Sequence, residues 1–219
     1  MIWSTQDRSQ AGPRWHGAFT TARRLVRAGM VPLRLLAGWS ALAWCLYDRS
    51  QAGPRWHSAY MTDWNTCDLC DDNPDVIRVP TPGLRHFGGT TRFTGPVMTV
   101  RCDADNTRVK ELVNTPGEGR VLVVDGGGGL ATALVGDVVG AEAVANGWAG
   151  ILIDGCVRDS AGLAALPLGV MAITTCPQRP ARVGQGTAGE DLVFRGVPCR
   201  VGDTAYADVD GVVLMPASA

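Results

Sequence analysis

The chain has 219 residues, 46% hydrophobic and 19% charged, with a formal net charge of −1. That is enough for one large domain or two small ones, and it excludes disorder throughout. The near-neutral balance offers no basic surface for nucleic acid, and seven cysteines, an odd number, make no disulfide scaffold and point to a reducing compartment.

Charge is unevenly spread. Residues 1–60 hold eight Arg against two Asp, no Lys or Glu, and five of the seven Trp. The decamer DRSQAGPRWH occurs at 7–16 and again, unchanged, at 48–57. Structural repeats diverge while keeping a hydrophobic pattern, so an identical polar decamer reads as duplicated DNA. We expect residues 1–60 to be a non-homologous extension, either translated upstream of a true start at Met61 or disordered. Two other readings stay open for 35–47 (LLAGWSALAWCLY), which follows Arg23, Arg24, Arg27 and Arg34. It resembles the core of a signal peptide, or it lies on a membrane surface; at 13 residues it falls short of the ~20 that span a bilayer.

From residue 61 the elements follow in order. Residues 76–79 read as a short strand, and 92–102 (RFTGPVMTVRC) as a strand bent at Gly95-Pro96. Residues 106–113 form a short helix. Residues 120–125 (RVLVVD) are continuously apolar, as in a strand buried on both faces, and the run Gly126 to Gly129 ends it. Residues 137–146 have helical spacing with Gly147 as the stop, 150–154 (GILID) are a second buried strand, and 160–166 a second short helix. Residues 170–174, 192–197 and 211–215 complete the set as strands.

The centre therefore reads β-α-β-α, which requires parallel neighbouring strands. The loops after the two strands, 126–136 and 155–159, then leave one edge of the sheet, the edge where open α/β folds bind ligands. The first delivers Gly136, Asp137, Val138 and Val139 at a helix start, where free N–H groups suit a carboxylate or phosphate. The second delivers Arg158, a bidentate partner for a carboxylate, and Asp159, a hard oxygen ligand for a divalent cation. Together they make a metal-assisted site for a small oxo acid. The plainer alternative is that both aspartates merely favour helix starts and Arg158 is an ordinary surface residue.

Residues 61–219 resemble the RraA-like family, which includes class II 4-hydroxy-4-methyl-2-oxoglutarate aldolases. The resemblance rests on colinear segments: 67–71 (CDLCD), 87–89 (FGG), 93–97 (FTGPV), Asp105-Asn106, 119–128 (GRVLVVDGGG), 133–137 (ALVGD), 146–148 (NGW), 155–159 (GCVRD), and Gly202-Asp203 through 206–208 (YAD) to Asp210-Gly211. None of it falls in 1–60. It implies an α/β, three-layer β/β/α swivelling-type domain that forms homotrimers, or pairs of trimers, in the cytoplasm. It implies that Gly136 to Val139 bind substrate by backbone amides, that Arg158 contacts substrate, that Asp159 holds Mg²⁺ or Mn²⁺, and that Asp137 positions a proton-shuttling water. The implied reaction cleaves 4-hydroxy-4-methyl-2-oxoglutarate to two pyruvate, with oxaloacetate decarboxylation as a side activity. Some members instead bind and inhibit ribonuclease E without catalysis; Asp159, which some of those lack, favours the enzyme. Where the family often has Lys, this chain has Arg182.

Other signals carry less. Cys67-x-x-Cys70 lacks the second pair a zinc site wants. Gly126, Gly128 and Ala131 fit a dinucleotide fingerprint, but helix onset comes late. His86 and Cys156 read as structural. The only lysine, Lys110, lies outside both loops, so no Schiff base is expected.

Overall fold

The two apolar runs become adjacent strands at the centre of a curled eight-stranded sheet. The computed structural model describes residues 64–217, and they comprise α1 (Thr66–Asp72), β1 (Arg85–His86), β2 (Phe93–Arg101), α2 (Thr107–Val113), β3 (Val121–Val135), α3 (Asp137–Ala145) and β4 (Gly150–Val157). They continue with α4 (Ser160–Ala164), β5 (Gly169–Thr175), β6 (Thr187–Ala188), β7 (Leu192–Phe194), β8 (Val197–Cys199), β9 (Thr204–Ala207) and β10 (Val212–Met215). The sheet runs β1-β5-β4-β3-β2-β9-β10, with β6 on β2 and β7-β8 a separate hairpin. Strands β2 to β5 are parallel, as the crossovers require, and the outer strands antiparallel.

Alternation within β3 divides the core. Leu122 and Val124 face α2, α3 and α4, packing with Val109, Val113, Val139, Ala143 and Leu163. Val121 and Val123 face the opposite layer, packing with Phe93, Phe194, Ala205 and Leu214. Strand residues buried on both sides are what an unbroken apolar run encodes. The result is helices over one face of the sheet and β structure over the other. Phe93 lies flat across Gly150 and Gly169, where added Cβ atoms would come within 2.4 and 2.1 Å of its ring. Those glycines let the ring reach the strands. Trp64, Leu69 and Val213 form a third cluster that docks α1, whose N-cap Asn65 accepts from the Asp68 N–H at 2.7 Å.

The structure corrects several expectations. The glycine run does not end β3. The strand continues to Val135 through irregular pairing, Asp125 matching Asp154, Gly129 matching Gly155 and Ala133 matching Cys156. Gly127 and Gly128 absorb the extra residues at φ +61° and +70°, angles open to glycine. Residues 155–157 likewise belong to β4, leaving only Arg158 and Asp159 outside the strand. Residues 76–79 make only a bridge, Arg78 to Leu214. Residues 192–197 break into a hairpin at Arg195 and Gly196, both at positive φ, a two-residue turn matched to strand twist. The expectations for residues 1–60, the start at Met61 included, lie outside the described residues. Among the described residues no helix is long and apolar enough to cross a membrane.

Candidate functional site

Strand register builds the site. Val135 at the end of β3 pairs with Val157 at the end of β4, and the Arg158 N–H donates to the Val135 carbonyl at 2.9 Å. The next residue of each strand, Gly136 and Arg158, therefore stands beside the other. A Cβ on Gly136 would lie 3.0 Å from both Arg158 Cγ and Asp159 Oδ2, so the glycine permits close approach of the two junctions.

Helix α3 starts at Asp137, with no side-chain cap from Gly136. Its first N–H groups have no intrahelical acceptor. Asp137 Oδ1 takes one of them, the Val138 N–H, at 2.7 Å. The N–H groups of Asp137 and Val139 have no acceptor among the described residues. The Asp137 side chain rests on Gly162 of α4, where a Cβ would come within 2.7 Å of Asp137 Cβ.

Asp159 sits in the left-handed region, φ 51° and ψ 43°, a conformation aspartate tolerates better than most residues. It occupies the N-cap of α4, yet its side chain makes no cap hydrogen bond. Instead Oδ2 accepts from Arg158 Nε at 2.8 Å. Nε is the one guanidinium nitrogen so engaged, and the Asp159 side chain is 41% exposed. These residues line one cleft of about 280 Å³. The two junctions, far apart in sequence, thus meet as expected: Gly136, Asp137, Val138, Val139, Arg158 and Asp159 are all brought together.

Four more residues with polar side chains on this cleft were not singled out as site residues from the sequence: Asn106, Lys110, Arg179 and Arg182. Asn106 is the N-cap of α2 but does not cap it. Its Nδ2 donates to the Leu134 carbonyl at 3.0 Å, tying α2 to the end of β3, and its Oδ1 is buried without a partner among the described residues. The Asp105-Asn106 pair was visible as a motif, but its contact with β3 was not. Asp105, fully buried, accepts from the Thr107 and Val183 N–H groups at 2.8 and 2.7 Å. The Thr107 side chain and these N–H groups hold its carboxyl well below the usual range, outweighing burial. It thereby fastens the 178–186 segment that carries both arginines.

No three His, Cys, Asp or Glu side chains converge to hold a metal among the described residues. Asp159 alone offers the cleft a carboxylate paired with a cation and accessible to solvent. Such a set cannot cage an ion, but it fits Mg²⁺, which keeps several waters and takes one or two carboxylates plus substrate oxygens.

The weaker signals resolve simply. Cys67 and Cys70 lie on α1, beside a separate, largely apolar pocket of about 350 Å³. His86 Nε2 is 2.7 Å from the Asp208 carbonyl, and Cys156 is fully buried. The glycine fingerprint continues as strand, so no helix start follows it to cradle a dinucleotide.

The Aldolase/RraA model of the RraA-like family matches residues 66–214. A protein of Xanthomonas campestris pv. campestris (strain B100), provisionally named 4-hydroxy-4-methyl-2-oxoglutarate aldolase, is 56% identical over 154 residues, covering 70% of this chain and 92% of its own. A protein of Laribacter hongkongensis with the same provisional name is 50% identical, covering 70% of this chain and 97% of its own. Among solved structures, one titled the RNA-processing inhibitor RraA of Thermus thermophilis has 37% identity and a TM-score of 0.69, covering 72% of this chain and 95% of its own. Another, titled a 2-dimethylmenaquinone methyltransferase of Geobacillus kaustophilus, has 42% identity and a TM-score of 0.69, covering 71% of this chain and 96% of its own. With its fold and its ordered motifs matched over this length, the chain belongs to the RraA-like family.

Proposed function

We propose that the protein is a divalent-metal-dependent aldolase that cleaves 4-hydroxy-4-methyl-2-oxoglutarate to two pyruvate. The observation that carries this reading is the meeting, in one cleft, of a helix start with free N–H groups, a guanidinium and an exposed carboxylate. The names of the relatives at 50–56% identity support it.

The residues divide the work. The Asp137 and Val139 N–H groups bind the carboxylate of the pyruvyl half. The free Nη groups of Arg158 face the oxygen on which negative charge grows as the C3–C4 bond breaks, so they favour the transition state over the ground state. Asp137 Oδ1 is committed to Val138, which leaves Oδ2 to hold the water that takes the C4 hydroxyl proton. Asp159 would hold Mg²⁺ or Mn²⁺, which supplies Lewis-acid stabilisation of charge on the pyruvyl oxygens. Oxaloacetate decarboxylation yields the same pyruvate enolate without any hydroxyl proton to remove, and is the expected side activity. We place the enzyme in the cytoplasm as a homotrimer or a pair of trimers.

Pyruvate release from both substrates, with Mg²⁺ and with EDTA, tests this. Release that requires metal supports the reading. No release from either substrate by folded, metal-supplied protein defeats it. Likeness to the RNA-processing inhibitor favours a second reading, binding and inhibition of ribonuclease E, which that outcome would advance.

A further inference from the structure

The cleft carries more positive charge than the proposed chemistry uses. Its lining holds Lys110, Arg158, Arg179 and Arg182 against Asp137 and Asp159. Arg158 is paired with Asp159, and Lys110 lies 3.6 Å from Glu142. Arg179 and Arg182 are exposed and make no hydrogen bond or ion pair among the described residues. Both lie on the 178–186 segment, whose Gln178 carbonyl accepts from the Ala133 N–H of β3 at 2.9 Å. The segment is not loose: the Asp105 carboxylate accepts from Val183 and Gln185, and the Arg108 guanidinium donates to the Gly184 and Gly186 carbonyls. Two unpaired guanidinium groups are thus held over a cleft whose inner end already accounts for one carboxylate. Arg182 also lines the adjoining cleft, with Asn106, Lys110 and Glu111.

We infer that Arg179 and Arg182 form a second anion subsite that reads the distal carboxylate of a dicarboxylic 2-oxo acid. The inference rests on the aldolase reading for the position of the first carboxylate. Guanidinium groups pair with carboxylates bidentately, and two of them reward a second negative charge while leaving a methyl group in its place unattended. Specificity for dianions over monoanions of equal length then resides on the 178–186 segment, and the strand junctions serve both alike.

Binding of 2-oxoglutarate and 2-oxopentanoate, measured by calorimetry on the full chain with Mg²⁺, tests this without turnover. The two acids share chain length and pyruvyl half, neither carries the hydroxyl needed for cleavage, and only the first has a distal carboxylate. The wild type binds 2-oxoglutarate about tenfold or more tightly at low salt, as a pair of arginine contacts implies. The difference shrinks at 0.5 M salt, roughly where the Debye length falls to a few ångströms. Arg179→Ala with Arg182→Ala removes the preference while 2-oxopentanoate binding persists; both residues are surface groups without partners, so the fold is retained. Equal binding of the two acids by the wild type, a preference that survives in the double variant, or no binding of either acid would each overturn the inference. Failure to release pyruvate from 4-hydroxy-4-methyl-2-oxoglutarate, with the dianion preference intact, would instead overturn the aldolase reading alone.

Discussion

The two strand-to-helix junctions begin alike and finish differently. Both leave the same sheet edge, locked together by the Val135–Val157 pairing. At the first, Gly136 stays extended, at φ −132° and ψ −175°, and a nine-residue helix follows, with the Val138 N–H taken by Asp137 Oδ1 and those of Asp137 and Val139 unclaimed. At the second, Asp159 turns into the left-handed region and a five-residue helix follows. The first junction presents backbone donors and the Asp137 carboxylate, the second the Arg158–Asp159 pair. Identical topology thus yields two complementary chemistries, and the choice is made by the single residue at each turn.

Substituting that residue breaks the comparison most severely. Asp159→Gly relieves the left-handed backbone, so stability is kept or rises by up to about 1 kcal/mol. On the proposed aldolase reading, pyruvate release nonetheless falls by about a thousandfold or more, since the carboxylate assigned to the metal is gone. Thermal melts and initial rates on the same sample check both halves. Gly136→Ala acts at the other turn by pressing a methyl into Arg158 and Asp159; a misplacement of this kind costs about a hundredfold in kcat. Undiminished activity in that variant would show that the close approach is unimportant.

Two milder changes sharpen the division of labour. Gly162→Ala pushes on Asp137 from beneath. Cleavage of the hydroxy acid should fall about tenfold or more, with oxaloacetate decarboxylation less affected because it needs no hydroxyl proton removed. The ratio of the two rates is the readout. The smallest effect concerns acid. Because the Asp105 carboxyl is held below its ordinary range when folded, its contribution to stability is complete above the unfolded value, about pH 4, and is lost as pH falls through the folded one. Asp105→Asn should flatten that acid limb in urea titrations, and the wild type should lose stability more steeply than the variant as pH is lowered.

Much of this was legible in the sequence, and the gaps have physical causes. RVLVVD and GILID announced buried parallel strands because burial on both faces leaves no polar position. From parallel strands the shared edge followed, and with it the meeting of Gly136 to Val139 with Arg158 and Asp159. The glycine run misled because glycine marks turns and bulges equally, and only the register with β4 distinguishes them. The hairpin at Arg195-Gly196 was missed because its outer residues alternate smoothly across the turn. The contacts of Asn106, Gly162, Arg179 and Arg182 were beyond reach for another reason. Their roles depend on contacts across separate elements, such as Asn106 to Leu134, that no local pattern records.

The Val135–Val157 ladder has a mechanical consequence. Joined by backbone hydrogen bonds, the two junctions are parts of one stiff frame, and neither can be displaced without the other. The separation between the amide donors and the Asp159 carboxylate is then almost invariant, like the gap of a fixed gauge. Adaptation to a longer or shorter acid then falls to the 178–186 segment, which is tied to β3 by a single backbone hydrogen bond, Ala133 N–H to the Gln178 carbonyl, and otherwise to residues 104–108. Change in substrate preference over evolutionary time would accordingly be recorded in residues 178–186, while the gauge itself stays as it is.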